Sequence, residues 1–237
     1  MMKVLQRRSE IHDSRKRLES INASSLESKL HQILRRLGLN KGVPVGDWLK
    51  SWDVNLTIEF ISEHLKKDQA ILDIGAYASE MTVALHKLGF TNLAGVDLNP
   101  ELKKMPFNQD IHFEISDFLA TPFADSSYDA VTSISVIEHG FDGNKLLSEV
   151  SRILKPGGYF LASFDYWPDK IETDGIKFFD MDWLIFSKAD ILELIALGKD
   201  YGLKPVGELA FDSDDKPINC ANKDYTFGWI ALQKSTS

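Results

Sequence analysis

From about residue 70 the chain alternates short apolar runs with longer stretches of helical spacing, the pattern of strands and crossover helices in a parallel sheet. Ala70-Ile71-Leu72-Asp73-Ile74-Gly75 is an apolar run closed by Asp-x-Gly. It reads as a buried strand over 70–74, turning sharply into a helix over about 79–88 that Gly89 ends. A second strand over 92–96 ends in Asp97, and Ile111 to Ile115 alternates as a third and delivers Ser116-Asp117. Tyr128 to Val136 forms a fourth, followed by Ile137-Glu138-His139. A helix over about 144–154 then leads through a tight Lys155-Pro156-Gly157-Gly158 turn into a fifth strand over 159–163. Ser187 caps a helix reaching about Tyr201, and 203–209 and 225–233 pair as the last two strands.

The first 40 residues read as helix. Leu26, Leu30, Ile33, Leu34 and Leu37 form an apolar stripe beside Arg35 and Arg36, with Gly38 as the C-cap. That stripe must pack on something: the main domain, a second protomer in a homodimer through these helices, or a substrate as a lid. Gly42-Val43-Pro44-Val45-Gly46 is a hinge-like loop, and Asp47 caps a helix over about 48–66. In that helix Leu56, Phe60 and Leu65 face inward, and Trp48 and Trp52 share a face. The organisation is a helical extension over 1–46 and one α/β domain over 47–237.

Open α/β sheets bind ligands outside the carboxyl ends of their strands. Four acids fall at such ends: Asp73, Asp97, Asp117 and Glu138. Asp97 lies 22 residues after Gly75, where an acid binds the hydroxyls of a ribose. A dinucleotide turn needs three glycines, yet Gly75 is followed by Ala76-Tyr77-Ala78-Ser79-Glu80. A pyrophosphate cannot sit closely over that turn, and a nucleoside cofactor without phosphates is easier to accommodate. Each acid also has a bland reading: Asp73 as a mere strand end, Asp117 as an N-cap ahead of Leu119, and His139 as a cap or packing residue.

With these residues in view, the chain resembles the class I S-adenosylmethionine-dependent methyltransferases, of the type 11 and type 12 kind. Their first motif, Asp/Glu-x-Gly-x-Gly-x-Gly, aligns with Asp73, Gly75, Tyr77 and Ser79, so two of its three glycines are replaced. Ser135-Val136-Ile137-Glu138-His139 resembles the Val-Ile-Glu-His segment of the subgroup that includes quinone-biosynthesis enzymes. Leu146-Leu147, Glu149 and Arg152 to Gly158 resemble the helix and turn that follow it, Glu149 and Arg152 being a structural pair three apart on one helix face. The resemblance covers roughly residues 55–210. It implies a Rossmann-like, mostly parallel seven-stranded sheet of order 3-2-1-4-5-7-6, with strand seven antiparallel and the helical extension in front. It also implies S-adenosylmethionine as cofactor: Asp97 on the ribose hydroxyls, Asp117 on the adenine amine, Phe118 on the ring, and Gly75 with its neighbours facing the methionine part. Asp73, Ala76, Tyr77, Leu98 and Ser135 complete the expected cofactor contacts.

Methyl transfer is an in-line displacement in which a protein mainly positions the reactants. A base is needed for a poorly ionised hydroxyl, and His139 is the candidate, with Glu138 as its orienter or as a contact to the cofactor's amine. Asp165-Tyr166-Trp167-Pro168-Asp169-Lys170 leaves the fifth strand where the acceptor would lie. Aromatics interleaved with carboxylates suit a sugar or another polar metabolite hydroxyl, so Asp165, Tyr166 and Trp167 are the substrate candidates, with Trp183 beside them. The Tyr-Trp-Pro segment also resembles methyltransferases of bacterial surface-polysaccharide gene clusters.

Composition narrows the alternatives. Net charge is −8, with residues 1–40 carrying nine Lys/Arg against four Asp/Glu, a balance of +5 that leaves −13 for the rest. So acidic a domain suits a small-molecule acceptor and not nucleic acid. The single cysteine, Cys220, fits a reducing cytoplasm and supplies no multi-cysteine zinc site, and no metal is expected. No apolar run is long enough to span a membrane or serve as a signal peptide. Tyr166 and Lys170 satisfy the Tyr-x-x-x-Lys spacing of nicotinamide-dependent short-chain dehydrogenases, but Pro168 between them would break the required helix at about 3 kcal/mol or more. The more serious alternative is a non-catalytic, methyltransferase-like partner or scaffold whose altered glycine motif no longer binds cofactor.

Overall fold

A computed structural model describes residues 1–26, 33, 35, 37, 39 and 42–236. The elements, in chain order, are β1 (Met2–Val4), α1 (Arg8–Ser20), a 3-10 turn (Trp48–Lys50) running into α2 (Ser51–His64), β2 (Ile71–Ile74), α3 (Met81–Lys87), β3 (Leu93–Asp97), β4 (His112–Ile115) and β5 (Tyr128–Ile134). Then follow α4 (Gly143–Ile153), β6 (Leu154–Tyr166), the β7–β8 ribbon (Lys177–Phe178 and Met181–Asp182), α5 (Lys188–Asp200), β9 (Leu203–Pro205), β10 (Ile218–Cys220) and β11 (Lys223–Lys234). The sheet runs β1-β11-β6-β5-β2-β3-β4, with β9 and β10 also paired to β11. β2 through β6 are mutually parallel, and β11 is antiparallel to β6.

Strand periodicity sorts the core into two layers, because successive side chains point to opposite faces. Ile71, Leu93, Ala130, Leu161, Phe227 and Trp229 face the layer of α1, α2 and α3. Leu72, Val96, Val131, Phe160, Phe164 and Ile230 face the layer of α4 and α5. The result is the expected α/β sandwich with a mostly parallel, Rossmann-like sheet.

The beginning of the chain corrects the all-helical expectation. Residues 2–4 are a strand, pairing Met2 with Ile230 and Val4 with Gly228. Their pattern is buried-exposed-buried, the two-residue period of a half-covered strand. The outer edge of β11 offers unpaired backbone groups, and β1 satisfies them; with β10, also paired to β11, the sheet has nine strands among the described residues where seven were expected. The segment 1–26 is therefore part of the sheet and its helix layer. Of the stripe, Leu30, Leu34, Arg36 and Gly38 lie outside the described residues; Ile33 and Leu37 are exposed and Leu26 is half-buried.

Two further differences concern length. The 203–209 strand ends at Pro205, and β6 begins at Leu154, so Lys155 to Gly158 bulge out of a continuing strand instead of separating it from the helix. Asp47 caps as expected, its carboxylate accepting from Leu49 N–H, and Ser187 accepts from Asp190 N–H. Arg152 donates to Glu149, which in turn accepts from Thr121, fixing the loop before β5.

One buried ion pair ties the first helix to the domain. Arg15 donates from both terminal nitrogens to Glu80, at 2.8 Å each, and from Nε to Ser51 Oγ. Glu80 precedes α3 and Ser51 opens α2, so one guanidinium fastens three helices. Breaking a buried pair by removing one partner leaves an uncompensated charge, typically at 3–5 kcal/mol. Arg15→Ala is expected to lower the urea unfolding free energy by about that much. The Arg15→Met/Glu80→Leu double variant is expected to recover most of the loss in the same measurement.

Candidate active site

The turn after β2 is built around Gly75. Its φ is +71°, and a Cβ there would stand 2.3 Å from Val136, so no other residue fits. Tyr77 and Ser79, which replace glycines of the motif, have no such demand: only Ala78 in this turn shares a positive φ, at 59°. The turn therefore does not need the missing glycines for its backbone path. Ser79 even uses its side chain, donating from Oγ to Asp73 at 2.6 Å, while Thr132 Oγ1 donates to the other oxygen at 2.6 Å.

Five successive N–H groups of this turn already have acceptors. Gly75 and Ala76 donate to Val96 C=O, Tyr77 to Asp97 Oδ2, Ala78 to Met105 Sδ and Ser79 to Ala76 C=O. An anion-cradling turn needs these donors free. This one has none to give a phosphate. Asp97, half-buried at the tip of β3, accepts only from Tyr77 and Asn99 N–H, one per oxygen. An ionised carboxylate has about four acceptor positions, so two remain for hydroxyl donors. Leu98 beside it is exposed, Phe118 is half-buried, and Asp117 is exposed with one oxygen accepting from Leu119 N–H, the capping role.

A second group of side chains gathers at the tips of β5 and β6. Asp165 and Ser163 lie on one face of β6, and Tyr166 on the other. Asp165 accepts from Trp183 Nε1–H at 2.7 Å, and Ser163 Oγ donates to Asp53 Oδ2 at 2.8 Å. Lys50 Nζ donates to Ser135 Oγ at 2.6 Å, stands 3.9 Å from Asp165 Oδ1 and lies 3.8 Å from the ring centre of Phe227. Glu138 is buried at the end of β5. One oxygen each of Asp53, Glu138 and Asp165, and His139 Nδ1, have no hydrogen-bond partner.

Burial sets the charge state of this group. It pushes the Glu138 carboxyl well above its ordinary range, helped by Asp165 and opposed by Lys50. It raises Asp53 as well, against Lys50 and the Ser163 hydrogen bond. For Lys50, burial alone would lower the pKa, but Asp165, Asp53 and Glu138 outweigh it and raise it. Burial lowers His139, so it is neutral near pH 7.

Not every sequence candidate joins the group. Tyr166 is fully buried on the α4–α5 side, its hydroxyl donating to Phe211 C=O, so it is not an acceptor contact. Trp167 is half-buried, with Lys216 Nζ 4.3 Å over its ring. Lys170 pairs with Asp190, and since Tyr166 lies in a strand the dehydrogenase pairing is absent. His139 contacts Phe178 and Phe179 of the ribbon, and its free Nδ1 shows that Glu138 does not orient that nitrogen. Sequence reading missed Lys50, Asp53 and Ser163. The available signal was the charge of Lys50 and Asp53 within an otherwise apolar helix face.

Comparison with known proteins agrees with this geometry. Residues 72–162 match the family described as "Methyltransferase domain". A demethylmenaquinone methyltransferase of Corynebacterium glutamicum is 33% identical over 94 residues, 40% of this chain and 40% of its own. The 1,6-didemethyltoxoflavin-N1-methyltransferase of Burkholderia thailandensis, solved with 1,6-didemethyltoxoflavin and S-adenosylhomocysteine bound, superposes with a TM-score of 0.55 at 18% identity, covering 77% of this chain and 78% of that one. The cyclase SpnF superposes with a TM-score of 0.59 at 13% identity, over 81% of this chain and 85% of its own. The chain spans less than half the length of the curated relatives it matches.

Asp73 gives a stability test. Burial, opposed by the Ser79 and Thr132 hydrogen bonds, raises its pKa from 3.8 to about 7. An acid whose folded pKa is raised binds more protons folded than unfolded between those values, so its contribution to stability is full below about pH 4 and lost as pH rises to about 7. Asp73→Asn removes that titration. Its urea midpoint, relative to the parent's, is expected to climb between about pH 4 and 7 and to level off above.

Proposed function

We propose, on the premise that residues 72–162 are a methyltransferase domain of the class I fold, that this chain is an S-adenosylmethionine-dependent methyltransferase acting on a small polar acceptor. The observation that carries this reading is the turn after β2. Its N–H groups are spent internally, which disfavours phosphate, while Asp97 keeps acceptor capacity for the two hydroxyls of a ribose.

The residues present fit that cofactor. Asp97 and Leu98 take the ribose side, and Asp117 and Phe118 the base side. Gly75, Ala76, Tyr77 and Ser135 line the turn toward β5, on the side of the methionine part. When bound, S-adenosylmethionine supplies a methyl carbon on a sulfonium, open to in-line displacement. The chain's part is positioning, for which well-oriented intramolecular systems indicate roughly 7–11 kcal/mol. His139, neutral near pH 7, is able to accept a proton from a hydroxyl acceptor, a contribution of about 10²–10⁴-fold. Burial and Asp165 push the Glu138 carboxyl well above its ordinary range, against Lys50, and the base role stays with His139. Asp165 and Trp167 face the acceptor side. A sugar or metabolite hydroxyl suits this mixture of carboxyls and aromatic rings.

The non-catalytic reading draws on Tyr77 and Ser79, and on a cyclase sharing the fold, since fold does not fix chemistry. Against it stands the backbone: neither replaced glycine sits at positive φ, so their loss leaves the turn undistorted. Titration calorimetry separates the two. S-adenosylhomocysteine is expected to bind at micromolar concentration, and Asp97→Ala to weaken it by on the order of tenfold or more, as loss of a charged acceptor costs roughly 1.5–3 kcal/mol. No binding at millimolar concentration would hand the case to the scaffold reading.

A further inference from the structure

The group at the tips of β5 and β6 sets three carboxyls, Asp53, Glu138 and Asp165, against a single ammonium, Lys50. All three acids are buried; one oxygen each of Asp53 and Glu138 has no hydrogen-bond partner, and Asp165 Oδ1 has Lys50 Nζ at 3.9 Å. Burying an unpaired polar oxygen costs free energy that natural cores avoid unless something uses it. Among the described residues no three His, Cys, Asp or Glu side chains close on a point as metal ligands would, so this is not a divalent-cation cage.

An independent feature points to the same kind of ligand. Beside these acids runs a row of buried rings: Trp183 and Tyr225 with centroids 5.7 Å apart, then Tyr225 and Phe227 at 6.2 Å. Phe227 is the cross-strand neighbour of Asp165. Carboxylates backed by aromatic faces recognise organic ammonium groups, because the ring quadrupole and the acid attract the same charge. The row already holds one cation, Lys50, over Phe227. One lysine stands against three acids, and burial raises both Asp53 and Glu138 against its pull.

We infer that Asp53, Glu138 and Asp165, against the Trp183–Tyr225–Phe227 row, form the acceptor pocket and take the ammonium group of a small amine-bearing molecule. The charged nitrogen is the handle by which that molecule is held. Of these side chains only Glu138 lies within the 72–162 match; Lys50 and Asp53 precede it, and Asp165, Trp183, Tyr225 and Phe227 follow it. That the pocket serves a methyl acceptor rests on the methyltransferase reading; its preference for a cation rests on its own side chains.

The Trp183 indole, bonded to Asp165, is a built-in reporter. Its ¹H–¹⁵N resonance, assigned by its disappearance in Trp183→Phe, is followed in the full-length protein saturated with S-adenosylhomocysteine. Ethanolamine and ethylene glycol, a matched pair differing in one charged nitrogen, are titrated at constant ionic strength. Ethanolamine is expected to shift the resonance saturably and ethylene glycol to leave it in place. Asp53→Asn is expected to weaken the ethanolamine response roughly tenfold. Lys50→Met, which deprives the acids of their internal cation, is expected to strengthen it. An equal response to both probes, no response to either, or a weaker response in Lys50→Met overturns the inference. Calorimetry with S-adenosylhomocysteine on the same samples keeps the two proposals apart: cofactor binding with no amine response sinks only this one. An amine response with no cofactor binding sinks only the methyltransferase reading.

Discussion

The Arg15–Glu80 ion pair is the constraint on which the carboxyl face of this sheet depends. Glu80 sits at the end of the turn after β2, and Arg15 also holds Ser51, the first residue of α2. The last residue of the preceding 3-10 turn is Lys50, and Asp53 lies in the first turn of α2. Position one guanidinium, and the turn after β2 and both N-terminal members of the acidic group are placed relative to each other. Both partners are buried, so the pair works in a medium where neither can be satisfied by water. A surface pair of the same geometry would impose little order.

What the sequence made legible follows from local rules. The run at 71–74, the acid at the tip of β3 and the caps at Asp47 and Ser187 are decided by neighbours within a few residues, and all are where periodicity and capping chemistry put them. Glu149 and Arg152 pair across one helical turn for the same reason. What was illegible depends on distant partners. β1 has three residues, too few for a period to register, and is a strand only because β11 offers it an edge. β6 runs three residues past the predicted end because β11 continues to pair with it up to Tyr166. That extension, with a two-residue alternation, separates Asp165 from Tyr166, which the sequence reading had grouped. Lys50 and Asp53 looked like ordinary polar positions of a capped helix. They become buried only once α1 and the sheet enclose α2.

The altered glycine motif shows how a pattern can fail as text and persist as geometry. The fingerprint counts three glycines, but only the position at Gly75 has a conformation and a contact that exclude a side chain. At Ser79 the replacement adds a hydrogen bond to the buried acid of the same motif. The turn's path is thus carried by one glycine and by where its N–H groups point. A cyclase and a methyltransferase share this backbone, since fold does not fix chemistry.

The pairing of β1 with β11 has a consequence for how the molecule is made. Met2 finds Ile230, and Val4 finds Gly228, at nearly the full separation the chain allows. At ribosomal speeds of about 5–20 residues per second, the first strand waits on the order of ten to fifty seconds before its partner exists. During that interval the parallel strands and the Arg15–Glu80 pair can assemble, but β6 has an uncovered edge, and the rings of Tyr225 and Phe227 are not yet present. The rings beside the acidic group therefore come into being long after the parallel strands. A chain interrupted before Tyr225 would keep the turn after β2 and lack the rings beside Asp165.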